Sequence, residues 1–566
     1  MVSSRPPFPG GPVEDAEFGK VIDMYGRSGT FAETGQPDAE ASAAAKTPPQ
    51  TQPLKKALRN RHMQMLAIGG AIGAGLFVGS GSALAKGGPA SLIICYLVIG
   101  IMILFMCQAL AEMAVLYPVN GAFFTYIVRF LDPSWGFAIG WEYTFAWLSV
   151  LPFELIAASI TIDFWRQDIH MGVWVTVFLV VLAATQLFGV RGYGEVEFVL
   201  SIIKILACVA FIVIGIVINC GAVGKQGYLG AKYWQDPGAF RGGFHGFAKV
   251  FTVAAFSFGG TELVGLAAAE SDNPRKAIPS ASRQVFLRIA FFYIVNLFII
   301  GLIVRSDDPR LLSASGSNTK ASPFVIAIQD AGIKVLPHIY NGVITIAVIS
   351  VANACTYGSS RTMQALAAQG MAPSFLAYID PKGRPLWCVL IQLAVGLLAY
   401  VGEVGKTATI MAFEWLLALT GLSFFFVWGS ICLAHIRFRY AWKAQGYTLD
   451  QIPYKPTCGV YGSWMGLLIC VMSLMATFYT NLFPEEGKGP NVESFFKAYL
   501  AAPIIFLLYL GWKIRTWNWR LYIPVHEIDL KTGLTDLTLH QAEAEAEAAL
   551  PPSTGRLLLA RIFRRK

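Results

Sequence analysis

The chain reads Ile68-Gly69-Gly70-Ala71-Ile72-Gly73-Ala74-Gly75-Leu76-Phe77-Val78-Gly79 within an apolar segment of membrane-spanning length, and this stretch decides its fold. Glycine costs about 1 kcal/mol relative to alanine in a helix, so the five glycines of the run predict a helix that is interrupted within the membrane. Interrupted helices are tolerated there only where the backbone lines a cavity or is buried in protein. The N–H groups that begin a half-helix favour negative charge, so this stretch suits a carboxylate.

A second run of the same kind lies near the middle of the chain, Phe256-Ser257-Phe258-Gly259-Gly260-Thr261-Glu262-Leu263-Val264-Gly265. Two glycine-interrupted apolar segments, one in each half of a membrane protein, are the best sequence indication of a transporter binding site. One such run alone is explained better by close packing of helices through small residues. Because there are two runs, and one carries an acid, we interpret them as a substrate site.

The composition is that of a membrane protein. The chain has 566 residues, of which 55% are hydrophobic and 14% are charged, whereas soluble domains carry about 25% charged residues. The net charge of +9 is expected from lysine and arginine in cytoplasmic loops and does not indicate nucleic-acid binding. The nine cysteines are scattered singly, so they predict neither a metal site nor a disulfide framework, and no cofactor is expected.

Apolar length and polarity divide the chain into a disordered N-terminal tail over 1–53, a membrane region over 54–516 and a polar C-terminal tail over 517–566. The predicted fold is all-α. Its twelve spans lie at roughly 65–85, 91–116, 135–164, 172–190, 196–218, 247–268, 285–304, 338–358, 386–402, 410–433, 460–482 and 494–514.

Charged residues orient these spans. A basic cluster before the first span places the N-terminus in the cytoplasm, and an even number of spans returns the C-terminus there. Arg288 and Arg361 are assigned to the ends of internal loops, and Glu142, near the start of the third span, is interpreted as solvated. The basic cluster consists of Lys55, Lys56, Arg59 and Arg61.

Ionisable groups within membrane spans are costly and are therefore functional candidates. Glu154 lies deep in the third span, where pairing with a neighbouring helix explains it equally well. Lys204, in the fifth span, either extends to the membrane surface or, if buried, exchanges a proton or replaces a bound cation. Glu262 directly follows the second break and is a candidate proton carrier. Asn353 either faces a polar cavity or hydrogen-bonds another helix.

Several motifs, in this order and at these spacings, resemble those of fungal amino-acid permeases of the amino acid–polyamine–organocation superfamily, and the general amino-acid permease group in particular. The resemblance covers roughly residues 54–530. Besides the two glycine-rich runs, the motifs are Lys86-Gly87-Gly88-Pro89-Ala90, Tyr117-Pro118, Leu151-Pro152-Phe153-Glu154, Tyr193-Gly194-Glu195-Val196-Glu197-Phe198, Asn273-Pro274-Arg275-Lys276, Ser359-Ser360-Arg361-Thr362 and Trp428-Gly429-Ser430.

The resemblance implies two inverted repeats of five helices plus two C-terminal helices, with spans one and six broken at the substrate. It also implies that the first break holds the α-carboxylate through backbone N–H groups, and that carbonyls of both breaks hold the α-amino group. The residues concerned are Gly73, Ala74 and Gly75 for the carboxylate, and Ala71, Phe256 and Gly259 for the amino group.

Further roles follow from the same resemblance. Phe256 would be an aromatic gate over the substrate, Lys204 would take the place of a coupling sodium ion, and Glu262 would be a second proton candidate. At Ala74 the chain departs from many relatives, which have threonine or serine there. The backbone N–H is kept, but a hydroxyl contact to the carboxylate is lost.

Together these features predict a transporter and not an enzyme: a multi-pass plasma-membrane protein that imports amino acids with protons, by alternating access and with broad specificity. The alternatives are a permease for an amine, polyamine or choline, which lack the carboxylate, and a sensor that binds amino acids without transporting them. An ion channel is disfavoured because the sequence shows no carbonyl filter or ring of acids.

The expected partners are amino acids, protons and membrane lipids. The N-terminal tail offers a further contact, with the ubiquitination and trafficking machinery. Its candidate acceptors are Lys46, Lys55 and Lys56, although topology and solubility are the preferred explanation for these lysines.

Overall fold

A computed structural model describes residues 56–535, apart from 71, 163, 166–167, 225–226, 313–321, 405 and 484–488. The side chains of 402–419, 493, 494 and 497 are also outside the description. The predicted N-terminal tail over 1–53 and the C-terminal tail beyond residue 535 lie outside the described residues. The boundaries proposed for these tails therefore stay predictions.

The described chain is helical, and its β-structure there is an isolated parallel bridge between Leu58 and Ser271. The α-helices are α1 (Asn60–Gly69), α2 (Ser80–Leu116), α3 (Ala122–Phe130), α4 (Pro133–Ile162), α5 (Met171–Gln186), α6 (Gly189–Asn219), α7 (Gly243–Phe258), α8 (Leu263–Leu266), α9 (Pro274–Leu287), α10 (Asn296–Ile303), α11 (Pro309–Leu312), α12 (Pro323–Asp330), α13 (Leu336–Ala368), α14 (Leu386–Gly396), α15 (Lys406–Ala444), α16 (Gly459–Leu482), α17 (Val492–Tyr499) and α18 (Ala501–Thr516).

Eight helical segments in the described chain are long and apolar enough to cross a membrane. One of them, Gly75–Leu116, contains parts of two predicted spans. The two parts are separated by a kink, where Gly88 has a φ of +79° and is followed by Pro89. Two shorter apolar helices, Met171–Gln186 and Leu386–Val401, coincide with predicted spans. The helices are therefore consistent with the twelve predicted spans and confirm the all-α membrane fold.

The first span is interrupted where the glycine-rich run predicts it. Helix α1 ends at Gly69, and helical structure resumes in a π-helical turn, Gly75–Gly79, that continues into α2. Two glycines of this segment leave no room for a side chain: a Cβ on Gly73 would lie 2.3 Å from the Val351 side chain, and a Cβ on Gly75 would lie 2.5 Å from the Ser257 backbone. Residues 70–74 are called the first break below.

The sixth span is interrupted in the same way. Helix α7 ends at Phe258 and α8 begins at Leu263. Gly260, between them, has a φ of +91°, a conformation that glycine adopts at no steric cost. Residues Gly259–Glu262 are called the second break. Both interruptions that the sequence predicted are thus confirmed.

Helix packing brings the two breaks together in the middle of the molecule. Helix α2 runs along α7, and α13 runs along α4, so that the long helices enclose the breaks. Helix α1 lies between α6 and α9. Before α1, the backbone N–H groups of Ala57 and Leu58 donate to the Glu270 carbonyl at 2.9 and 3.0 Å. This contact joins the chain that enters the first span to the end of the sixth.

Three sequence-based assignments were wrong. Arg288, Arg361 and Glu142, placed in loop ends or in solvent, are 0%, 4% and 0% exposed. The helices extend beyond the apolar windows used to place them: α9 begins at Pro274, where Asn273 accepts a hydrogen bond from the Lys276 N–H at 3.3 Å. Polar residues near a predicted span edge are therefore inside the helical bundle.

The C-terminal strap, residues 517–535, packs against the rest of the chain after α18. The strap meets the end of α2, where the Thr535 N–H donates to the Leu116 carbonyl at 2.9 Å. It also meets the segment before α4, where the Ile523 N–H donates to the Leu131 carbonyl at 2.9 Å. Leu530, within the strap, is buried. The predicted polar tail therefore begins with an ordered, partly buried segment.

Candidate functional site

A cavity lies between the two breaks, and its empty space, together with the part that is open to solvent, is ≈ 310 Å³. It is narrow, and its walls combine backbone, aromatic rings, two valines and one acid. The lining residues are Gly73, Ala74, Gly75, Trp147, Val150, Glu154, Phe256, Gly259, Val351 and Phe424.

Five of the six predicted substrate-binding residues line this cavity: Gly73, Ala74, Gly75, Phe256 and Gly259. The sixth, Ala71, lies outside the described residues. The Gly73 carbonyl accepts the N–H groups of Leu76 and Phe77 at 3.2 and 3.1 Å, so Gly73 marks the start of the second half-helix. The first N–H groups of a helix lack intrahelical partners, and together with the helix dipole they attract anions.

Glu154 supplies the negative side of the cavity. The side chain is 1% exposed, and within the described chain its Oε2 has no hydrogen-bond partner. An unsatisfied carboxylate oxygen in an apolar site is costly. It is therefore a natural partner for a cationic group of a bound ligand, and it lies in the same cavity as the N–H groups of the first break.

Aromatic rings form the remaining wall. Phe256 packs edge-on against Phe153, with ring centroids 5.2 Å apart, and Trp147 packs edge-on against Phe424 at 5.9 Å. A Cβ on Gly259 would lie 2.6 Å from the Phe424 ring, so the second break touches this wall directly. Trp147 and Phe424 were missed from the sequence, because nothing local distinguishes them from other aromatic residues in the spans.

Lys204 is buried beside the cavity and does not line it. Its Nζ lies 3.2 Å from Glu197 Oε1 and donates to Ser350 Oγ at 2.8 Å. The Ser350 hydroxyl in turn donates to Glu197 at 2.8 Å. Lys204 and Glu197 are 0% and 2% exposed, and the charge of Lys204 acts on Glu154. A buried ion pair thus stands next to the acid of the cavity.

The fifth span meets the first at this pair. A Cβ on Gly69 would lie 2.3 Å from the Cβ of Ser201, so α1 and α6 touch backbone to side chain. Ser201 Oγ also donates to Glu197 at 3.4 Å. Glu197, Ser201 and Lys204 therefore share one helix face, and that face looks toward the end of α1.

Glu262 is buried outside the cavity, at the end of the second break. Its Oε1 accepts from the Tyr143 hydroxyl at 3.0 Å and from the Gly260 N–H at 3.2 Å, and its Oε2 accepts from Trp428 Nε1 at 3.1 Å. Three donors from three parts of the chain therefore surround this carboxylate.

Asn353 is also outside the cavity. Its Oδ1 accepts from Gln186 Nε2 at 3.0 Å and from Thr185 Oγ1 at 3.3 Å, both on α5. Of the two roles that the sequence left open, the structure shows the contact between helices.

A second buried ion pair lies at the end of the sixth span. Arg361 Nη2 lies 3.1 Å from Glu270 Oε1, and the Tyr357 hydroxyl donates to Glu270 Oε2 at 2.5 Å. Tyr357 stacks on Tyr193 of α6, with centroids 4.4 Å apart. This cluster joins the ends of spans five, six and eight on the side where the chain enters the first span. From the sequence, Arg361 was placed at the end of an internal loop and Tyr193 was named within a motif, but this cluster was not predicted.

Comparisons with known proteins agree with this architecture. The amino acid permease family matches residues 62–525. The chain is 49% identical to the general amino-acid permease GAP1 of Saccharomyces cerevisiae, over 90% of this chain and 86% of the relative. It is 50% identical to the cationic amino acid transporter 1 of Schizosaccharomyces pombe, over 88% and 84%.

Among solved structures, the manganese transporter of Eremococcus coleocola superposes with a TM-score of 0.52 at 14% sequence identity. The match covers 81% of this chain and 94% of that one, so it shows a common fold. The relatives are named permeases and transporters, which confirms a multi-pass membrane protein that is not an enzyme. The chain belongs to the amino acid permease family.

Proposed function

We propose that the protein imports amino acids across the plasma membrane by proton symport, with alternating access, broad specificity and both termini in the cytoplasm. One observation carries the proposal: the cavity between the breaks offers helix-start N–H groups and an unsatisfied carboxylate within the same small space. A zwitterion presents one negative and one positive group close together. The cavity is complementary to both.

The α-carboxylate would accept hydrogen bonds from the N–H groups of Gly73, Ala74 and Gly75. The α-amino group would face the backbone carbonyls of Phe256 and Gly259, with that of Ala71 as a further acceptor. Glu154 lies on this side, and its ionised form would add a negative charge there. Phe256 would cover the substrate as a gate, because its ring is half-buried and lies at the cavity wall.

Proton coupling is best supported at Lys204. Its partner Glu197 can accept its proton, and Ser350 bridges the two groups by hydrogen bonds. A buried pair of this kind has two arrangements, charged and neutral, that differ by one proton transfer. The pair stands next to Glu154, so loading of the cavity and the charge at Lys204 would influence each other. Glu262 remains the second candidate.

Broad specificity is supported by the rest of the lining. Val150, Val351 and the aromatic rings of Trp147 and Phe424 offer apolar contact without a further charge. Apolar surfaces discriminate weakly between side chains of similar size. The relatives named general amino-acid permease and cationic amino acid transporter agree with amino acids as the substrate class.

A permease for amines or choline is the second candidate. Glu154 would suit such cations equally well. The N–H groups of the first break argue against them, because a ligand without a carboxylate leaves those donors unused. Competition experiments with amines therefore discriminate between the two.

The test is uptake of labelled amino acids in permease-deficient cells, with and without a protonophore. We expect accumulation of many amino acids, and collapse of that accumulation when the proton gradient is removed. Inhibition by amines but not by amino acids would overturn the amino-acid assignment. Uptake that persists without a gradient, but only against preloaded amino acids, would overturn symport.

Glu154→Gln tests the observation that carries the proposal. The amide keeps the shape and removes the charge, so we expect KM to rise by at least tenfold, since a hydrogen bond to a charged group contributes about 1.5–3 kcal/mol. Glu527→Gln is the matched control, because that acid is 47% exposed in an ion pair of the C-terminal strap. An unchanged KM in Glu154→Gln would remove this residue from the site.

A further inference from the structure

Arg288 occupies a position that none of the roles above explains. It is one of the largest fully buried side chains of the protein, and it is 0% exposed. Its guanidinium lies between the two interrupted spans: Nη1 donates to the Ala67 carbonyl of α1 at 2.8 Å, and Nη2 donates to the Thr261 hydroxyl of the second break. One side chain of the seventh span therefore contacts both broken spans.

Both contacts lead to the C-terminal end of a half-helix. Ala67 lies in the last turn of α1, where carbonyls lack intrahelical partners. The Thr261 hydroxyl donates to the Phe258 carbonyl, the last residue of α7, at 2.7 Å. The ends of both half-helices carry negative partial charge. A single cation thus stabilises both ends, directly at the first break and through one hydroxyl at the second.

The positive charge of Arg288 is stabilised by the negative partial charge of these two helix ends. Among the described residues, no carboxylate oxygen lies within ion-pair distance of it, although Glu262 is close enough to act on its charge. A charged side chain at this depth is costly, and such residues are retained where they have a function. Here the function must involve the two helix ends, which Arg288 reaches through the Ala67 carbonyl and through the Thr261 hydroxyl.

The local helix geometry fits a specialised role. The seventh span changes from α-helix to a π-helical segment at Arg288, over Arg288–Val295. Such wider turns are frequent at functional sites. The segment makes a further contact with the same half-helix, because the Tyr293 hydroxyl donates to the Ser257 carbonyl at 2.7 Å. The π-helical segment therefore holds the end of α7 at two points.

We propose that Arg288 is a positioning residue that ties the two breaks together and fixes the two halves of the substrate site relative to each other. The inference rests on the proposed function, because an amino acid is expected to contact both breaks. If Arg288 connects the two breaks, a substitution that removes its contact at one break should also loosen the backbone of the other break. Substrate affinity then depends on a residue that does not touch the substrate.

The first test is Arg288→Lys. The variant keeps the positive charge, but a single ammonium group lacks the fork that reaches both acceptors. We expect KM for amino acids to rise by about tenfold, the loss expected for one charge-assisted hydrogen bond. The matched control is Arg437→Lys, since Arg437 also bridges two backbone carbonyls, those of Phe130 and Ile523, away from the breaks. An unchanged KM in Arg288→Lys overturns the proposal.

The second test changes Thr261, which accepts a hydrogen bond from Arg288. It tests the proposal even if the Arg288→Lys variant fails to reach the membrane. Thr261→Val removes the hydroxyl, and Thr261→Ser keeps it. We expect backbone hydrogen exchange over residues 66–76, which include the end of α1 and the first break, to speed up severalfold in Thr261→Val and to stay unchanged in Thr261→Ser. Equal exchange in the two variants overturns the proposal.

The two readouts separate this inference from the proposed function. Hydrogen exchange of the purified protein does not require transport. Faster exchange at the first break in Thr261→Val, in a protein that takes up no amino acid, supports the tie and overturns the transport proposal. Normal wild-type uptake with no effect of either variant overturns the tie alone.

Discussion

The two buried acids beside the breaks differ in what surrounds them. Glu197 shares a serine-bridged contact with Lys204, so its partner is a group that can gain or lose a proton. Glu262 accepts from a backbone N–H, an indole N–H and a tyrosine hydroxyl. Every described hydrogen bond to Glu262 is therefore one that its carboxyl oxygens accept.

The comparison separates two uses of a buried acid. At Glu197 a proton can move within the pair without leaving either partner as an isolated charge. At Glu262 a proton on Oε2 would face the indole N–H of Trp428, which can only donate, so that a proton on this carboxyl could be accepted only by the Tyr143 hydroxyl at Oε1. We therefore expect proton coupling to depend most on the Lys204–Glu197 pair, and Glu262 to contribute more to the geometry of the second break.

The largest effect is expected for Glu197→Gln. Removal of one partner from a buried ion pair costs about 3–5 kcal/mol, because the other charge is left uncompensated. We expect proton-driven accumulation to fall to the level of cells without the permease. The measurement is the accumulation ratio of a labelled amino acid, with exchange against preloaded substrate measured in parallel. Full accumulation would show that the pair is not required for coupling.

A smaller effect is expected for Glu262→Gln. The amide keeps one acceptor and places an NH₂ group against a donor, so one hydrogen bond is lost. We expect KM to rise by about three- to tenfold, from a loss of about 1 kcal/mol or slightly more, while the accumulation ratio is kept. The reverse result, normal KM with lost accumulation, would make Glu262 the proton carrier and invert the comparison.

The smallest effect is expected for Asn353→Ala, because this side chain hydrogen-bonds to α5 and does not line the cavity. Loss of its hydrogen bonds to Gln186 and Thr185 should cost about 1 kcal/mol of stability. We expect the unfolding temperature of the purified protein to fall by a few degrees, with KM within twofold of the wild-type value. A large rise in KM would place Asn353 in the substrate site.

Sequence reasoning found the breaks because their signal is local. Five glycines within twelve residues weaken a helix, and the recurrence of such a run in both halves of the chain distinguished a break from simple helix packing. Close contacts at Gly73 and Gly75 now explain two of these glycines. Lys204 was found for a similar reason, since a lysine within a span stands out. Glu197 was available from the same helix: it precedes Lys204 by seven residues, two helical turns, with Ser201 between them on the same face.

Other residues could not be found in this way. Arg288 was placed at a loop end, because its two acceptors could not be recognised. The acceptors, Ala67 and Thr261, are 221 and 27 positions away, and no sequence motif links them to Arg288. Two of the three partners of Glu262, Tyr143 and Trp428, likewise come from helices far away in the chain. Contacts of this kind depend on tertiary packing, so the local pattern of a single sequence does not predict which residues form them.

The C-terminal strap bears on how the protein is made. A chain is synthesised from its N-terminus, and its parts fold in that order. The Leu116 carbonyl, at the end of α2, and the Leu131 carbonyl, just before α4, meet their strap partners Thr535 and Ile523 only after α18 has left the ribosome. Docking of the strap is therefore a later step of biogenesis than synthesis of α18, and it requires a chain that extends through the strap.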